Sequence, residues 1–266
     1  MARGRLKRQR LYSAARAACG VAWLWVAMTA ACRAQGGPPM LTDDPDTPKD
    51  GRWEINVAYT DRGAPGERLR SLPHVDANYG WGERVQLKYE TGLMWRQSDG
   101  TATQSGTDDA LVGLKWRFFD QSEVGASVST YPQFQFQNSH SAVVRGLADP
   151  APNLFLPLEA SRDFGRFVVV AELGRQFVHA GADLWTSGLL VAVPVGENFE
   201  LLAEYRRSGP SFSGHGEAFA NVGFRRRISP QIAALGSIGR GIAARADAPS
   251  SIAYLGLQFA FGKEGH

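Results

Sequence analysis

Along nearly the whole chain, apolar residues return at every second position, and this alternation limits the fold more than any other feature. A period of two belongs to a strand, whose side chains point to opposite faces in turn. "WEINVAY" places Trp53, Ile55, Val57 and Tyr59 opposite Glu54, Asn56 and Ala58. "VQLKYETGLMW" sets Val85, Leu87, Tyr89, Leu93 and Trp95 against Gln86, Lys88 and Glu90. "ALVGLKWRF" opposes Val112, Leu114 and Trp116 to Gly113, Lys115 and Arg117, and "FVVVAELGRQF" opposes Val169, Ala171 and Leu173 to Glu172 and Gly174. The same rule holds in "FELLAEY", in "AFANVGFRRRI" and in the final "YLGLQFAF". Weaker alternation covers residues 71–79, 123–136, 153–162, 184–193 and 231–241, which brings the expected number of strands to twelve. No segment carries an apolar stripe of helical period and length.

A chain of 266 residues that is 44% hydrophobic and 21% charged lacks the long apolar runs of helical membrane proteins. Its longest apolar stretch, "AACGVAWLWVAMTAAC", follows a basic start containing Arg3, Arg5, Lys7, Arg8, Arg10 and Arg16. That order describes a secretory signal peptide over residues 1–34, cut after Ala34 in "CRAQ". Lipoprotein cleavage before Cys32 is the alternative. The formal charge of +3 belongs to this leader: beyond it, 22 Lys and Arg face 26 Asp and Glu, near −4. No basic patch for nucleic acid is left. Both cysteines, Cys19 and Cys32, also lie in the leader, so the exported part has no disulfide framework or thiolate metal site.

Connections after the even-numbered strands are short ("GWGER", "DQS", "DFGR", "PVGEN", "SP"), whereas those after strands one, three, five, seven, nine and eleven tend to be longer, such as "RQSDGTATQSGT" and "QNSHSAVVRGLADPAP". Tight periplasmic turns alternating with longer extracellular loops mark a transmembrane β-barrel. The expected fold is therefore all-β: an antiparallel barrel of about 12 strands over residues 51–266, preceded by a Pro- and Asp-rich segment at 35–50. "HAGAD" is short for an outer loop, so ten or fourteen strands remain open. Aromatics near strand ends (Trp53, Tyr59, Trp95, Tyr131, Trp185, Tyr205, Tyr254) are expected to form interfacial girdles. An exported water-soluble sandwich is the competing fold.

Two stretches carry a family likeness. "GPPMLTDDPDTPKDGRWEINVAY" resembles the opening of the outer-membrane barrels grouped as a meta-pathway phenol-degradation or transporter family, and "DDALVGLKWRF" resembles that family's fourth strand. "YLGLQFAF" is similar to the C-terminal signal by which bacterial barrels are recognised by their assembly machinery, carried here by Tyr254, Gly256, Phe259 and Phe261. It departs from that pattern in the trailing "GKEGH". The resemblance implies a bacterial outer-membrane location among lipids and uptake of small hydrophobic or aromatic solutes.

Inward-facing charges are the candidate lumen-lining and selectivity residues: Glu54, Lys88, Glu90, Lys115, Arg117, Glu172, Glu204, Arg206, Arg225 and Arg227. They either line a water path or pair with one another to fill the barrel. Asp43, Asp44 and Asp46 are candidates for a plug inside the lumen, or for simple Asx turns leading into the first strand. No cofactor, metal site or phosphate loop is read from the sequence. His140, His179 and the Ser213–His215 pair fall in expected loops, which makes an outer-membrane lipid or ester hydrolase a remote alternative to a non-enzymatic role. The leading function is a passive outer-membrane channel. The alternative is a filled barrel that is structural or binds partners through its loops. The sequence does not set the oligomeric state.

Overall fold

The computed structural model describes residues 37–179, 181–212, 216–243 and 250–262. The expected leader with its cysteines and both cleavage sites lies outside the described residues, as do residues 35 and 36, Ser213, His215 and most of "GKEGH".

Twelve antiparallel strands form one closed sheet: β1 (Arg52–Ala64), β2 (Glu67–Trp81), β3 (Val85–Ser98), β4 (Gln104–Thr107 and Ala110–Phe119), β5 (Ser127–Thr130 and Gln133–Phe136), β6 (Asn153–Asp163), β7 (Val168–Val178), β8 (Leu184–Pro194), β9 (Phe199–Gly209), β10 (Glu217–Ser229), β11 (Ile232–Ala243) and β12 (Ser251–Gly262). Each strand pairs with the next. β12 then pairs with β1, from Arg52 opposite Gly262 to Gly63 opposite Ser251, which removes both sheet edges. In a membrane such closure is required, because an unpaired edge N–H or C=O in hydrocarbon costs several kcal/mol. β7 and β8 pair directly, with Leu184 opposite Gln176, so the short connection after β7 does not change the count.

The alternation resolves into an apolar outer surface and a polar interior. Val169, Val191, Ala203 and Val222 stand side by side across β7–β10, and Val222 continues to Ile238 on β11. Leu189, Leu255 and Ile238 are each at least half exposed on this outer face. Most buried positions on the opposite face are polar or charged, among them Asn56, Asp76, Lys115, Glu159, Glu172 and Asn221. Among the described residues no helix is long and apolar enough to cross a membrane.

Three expectations need correction. The first outer connection is not long: β1 and β2 stay paired up to a tight turn at Pro65–Gly66, where Gly66 supplies the positive φ of 75°. Tyr131 and Tyr254 do not belong to an outer girdle. Tyr131 is fully buried beneath the ammonium of Lys115, 4.6 Å from its ring centre, and Tyr254 lines the interior. Both share the inward parity of their polar neighbours, which composition near a strand end does not reveal. Finally, the stretch expected as a strand over 123–136 begins with the short helix α1 (Gln121–Val124). Glu123 accepts the Asp120 N–H at 2.9 Å, and Gly125, at φ 85°, ends the turn. A second short helix, α2 (His140–Val144), lies in the long β5–β6 loop. That loop turns back over the mouth of the barrel: Arg96 donates to the Gly146 carbonyl at 2.8 Å, and a β-carbon at Gly106 would meet Leu147.

Candidate functional site: a lumen occupied by residues 37–50

Residues 37–50 form neither helix nor strand; as far as Pro48 they run inside the barrel, and Lys49 and Asp50 are exposed beside the β2–β3 turn. Irregular backbone at membrane depth is tolerated only where protein or a cavity satisfies its polar groups. Here the wall supplies the partners. Glu204 accepts the N–H groups of Leu41 and Thr42, and Glu172 accepts that of Asp43 at 3.3 Å. On the carbonyl side, Arg225 donates to Pro38 at 3.1 Å, Ser237 to Pro39 at 2.7 Å, and Arg206 to Leu41 at 2.7 Å. Lys115 donates to the carbonyls of Asp44 and Asp46. The four prolines at 38, 39, 45 and 48 have no N–H to satisfy, which lowers the demand further. Acids hold donors, bases hold acceptors, and the segment needs no secondary structure of its own.

Glycines make room for it. A β-carbon at Gly188 would run into Thr42, and one at Gly80 into the carbonyls of Pro48 and Lys49. Toward the short-turn end, Met40 packs against Val168, Val170, Leu190, Ala192 and Leu202, an apolar patch inside an otherwise polar lumen.

Side-chain ion pairs complete the anchoring. Lys115, 1% exposed, meets the Asp43 carboxylate at 2.9 Å and Glu159 at 3.7 Å, while Ser129 donates to Glu159 at 2.6 Å. Arg117 reaches Asp46 at 3.4 Å and Asp120 at 2.8 Å. Arg206 pairs with Glu172 at 2.8 Å and Arg225 with Glu200 at 3.2 Å. On the other side of the lumen, Lys88 bridges Asp76 at 3.2 Å and Glu90 at 2.9 Å, and His74 meets Glu90 at 3.3 Å.

Of the residues singled out from the sequence, Lys115, Arg117, Glu172, Glu204, Arg206 and Arg225 come together around Asp43, Asp44 and Asp46 and their neighbours. Lys88 and Glu90 sit in the adjoining network. Glu54 lines a cavity of about 30 Å³ beneath the segment, near the room one water needs. Arg227 stands at the turn end of β10, where its N–H donates to the Asn198 carbonyl at 2.8 Å. Phe259 and Phe261 lie on the outward parity of β12, with Tyr254 and Gly256 inward. His140 begins α2 and His179 follows β7. Among the described residues no group of three or more His, Cys, Asp or Glu is placed to hold a metal ion.

Sequence reasoning passed over Asp76, His74, Glu159 and Glu200 as interior residues and assigned Tyr131 to the outer girdle. Glu200 was legible as the polar partner of Leu201 in "FELLAEY". Asp76, flanked by Val75 and Ala77, and Glu159, in "LFLPLEAS", belong to strands whose alternation is weak.

Between the segment and the long-loop end lies a cavity of about 480 Å³, hereafter the vestibule. Residues 37–41 and Asp43 border it on one side, and the upper halves of β1–β4 and β12 form most of its wall.

No protein-family model matches the chain, and no curated protein matches it. Solved structures do. An outer-membrane channel from Pseudomonas putida F1 superposes with a TM-score of 0.61 at 13% identity, covering 85% of this chain and 100% of that one. The NanC porin superposes with a TM-score of 0.54 at 8% identity, covering 77% and 98%. At such identities the likeness concerns the fold. The chain has the closed twelve-stranded architecture of outer-membrane β-barrels.

Proposed function

We propose that the chain is a bacterial outer-membrane channel for passive passage of small solutes, restricted from the periplasmic side by its own residues 37–50. The vestibule carries this reading. It is a cavity of about 480 Å³, within the range of small-molecule sites, and it ends on a segment held by side chains rather than built into the sheet. The outward apolar belt and the likeness to a channel and a porin support the location and the general role. Short turns then face the periplasm and longer loops the exterior.

The aromatic passenger implied by the family resemblance finds the rings of Phe155 and Tyr254 in the vestibule, among walls that mix charged, polar and apolar side chains. This favours solutes that carry polar groups in addition to any ring. A second reading, a barrel filled for structural reasons, is favoured by the dense pairing around Lys115. Planar-bilayer conductance separates the two. The channel reading expects a small current from the intact protein that grows when residues 35–50 are deleted. Silence in both forms, from barrels whose folding is confirmed by heat-modifiable mobility, contradicts it.

A further inference from the structure

Most carboxylates of the vestibule are matched by a cation: Asp43 by Lys115, Asp76 and Glu90 by Lys88, Glu172 by Arg206, and Asp61 by Arg68 and Arg70. Asp108 and Asp109 are the exception. They interrupt β4, both line the cavity, and neither makes an ion pair among the described residues. Among the described residues the Asp108 carboxylate accepts one hydrogen bond, from the Asp109 N–H at 2.8 Å. The Asp109 carboxylate accepts Gln135 at 2.8 Å and the Asp149 N–H at 3.1 Å through one oxygen, and its other oxygen is buried without a partner.

An independent feature lies beside them. Ser71 is 2% exposed, lines the same cavity, and its hydroxyl has no hydrogen-bond partner. That hydroxyl lies over Gly92, where a β-carbon would collide with it, and the Gly92 carbonyl accepts the Asp108 N–H at 2.9 Å. Ser71 and the Asp pair therefore meet at one spot on the wall, with unmet polar capacity on both. With Lys115 and Arg68, which pair with two of the lining carboxylates, seven carboxylates meet six Lys and Arg, an excess of one negative charge. A low-dielectric wall around excess negative charge concentrates cations and repels anions.

We propose that Asp108, Asp109 and Ser71 form a subsite for the positively charged end of a small organic solute, an ammonium or guanidinium group. The Asp pair supplies charge, and Ser71 accepts a further N–H. This deepens the channel reading and rests on it, since a solute must enter the vestibule to reach the subsite.

The test uses the protein purified from outer membranes and placed in nanodiscs, with benzylammonium and benzoate as probes in equilibrium dialysis. The two share a ring and differ in charge. Retention of benzylammonium is expected to exceed that of benzoate by about tenfold, the size of one effective charge interaction in a partly wet site. Asp108→Asn preserves the acceptor for the Asp109 N–H and should cut that preference several-fold, and Asp108→Asn/Asp109→Asn should abolish it. Equal retention of both probes overturns the proposal, as does retention of neither, or a preference that survives in a folded double variant. The channel reading fails separately: a protein that retains benzylammonium yet never conducts keeps its subsite and loses its transport role.

Discussion

At the scale of single residues, the inward charges act first as hydrogen-bonding partners for a stretch of backbone that makes few hydrogen bonds of its own beyond the Gly37–Thr42 turn. Lys115 is the clearest case, because it serves Asp43, the carbonyls of Asp44 and Asp46, and Glu159 together. Lys115→Met leaves two carboxylates without their cation, and removing one partner of a buried pair costs about 3–5 kcal/mol. Denaturant unfolding in lipid vesicles should register that loss, and adding Glu159→Gln should recover part of it. A loss below about 1 kcal/mol would show that the network is wet and weak. At the short-turn end, Glu123 is held below the usual carboxylate range, first by the Asp120 N–H and then by Arg84. A lowered carboxylate stabilises the fold above its unfolded-state pKa, and the contribution is lost as pH falls through the folded value. Protection of the Asp120 amide from hydrogen exchange, corrected for intrinsic rates, should therefore fall on acidification, whereas in Glu123→Gln it should be lower at neutral pH and lose this pH dependence. Alternation in the sequence shows that Lys115 or Glu204 faces inward. It does not name the partner, because the contacts join positions 37–50 to strands far along the chain.

Among the elements, the N-terminal segment and the wall glycines fit each other. Gly188 separates Glu172 on β7 from Arg206 on β9 in one cross-strand row, and Thr42 occupies the space its missing side chain leaves. Gly188→Val adds a branched side chain at that point without altering strand pairing. It should displace the segment, raise single-channel conductance and expose residues 37–50 to protease while heat-modifiable mobility stays unchanged. Unaltered current and protection would mean that Thr42 is not held there. Strand positions were legible because a period of two persists wherever one face meets an apolar phase and the other a polar one. The interruptions were not. Asp108–Asp109 and Tyr131–Pro132 break β4 and β5 locally, and the second break follows from a proline that has no N–H for the ladder. Pro65–Gly66 shortens a connection because its turn geometry lets two strands pair beyond the length that alternation alone marks.

For the whole molecule, the fold inverts the arrangement of a water-soluble protein, with apolar residues outside and charges within. Leu189, half exposed on β8, sits in the outward belt between Ala171 and Tyr205. Leu189→Arg should cost about 2–4 kcal/mol in folding into lipid vesicles, as a charge near the bilayer midplane does in such barrels. A negligible cost would place the belt in water. Barrel class and strand number were readable because they depend on counting alternating segments. Occupation of the lumen was not, since "QGGPPMLTDDPDTPKD" reads equally well as a solvated leader or as a buried one. The central claim is that this segment lies within the barrel of the membrane-embedded protein. A β-carbon added at Gly188 would lie 3.1 Å from that of Thr42, within a few tenths of an ångström of the span a disulfide bridges. The double variant Thr42→Cys/Gly188→Cys, in a mature chain expected to have no other cysteine, should crosslink on mild oxidation in intact outer membranes. If the two thiols instead stay unlinked, and the one introduced by Thr42→Cys is alkylated by a reagent added from outside the barrel, the segment does not occupy the lumen and the account fails.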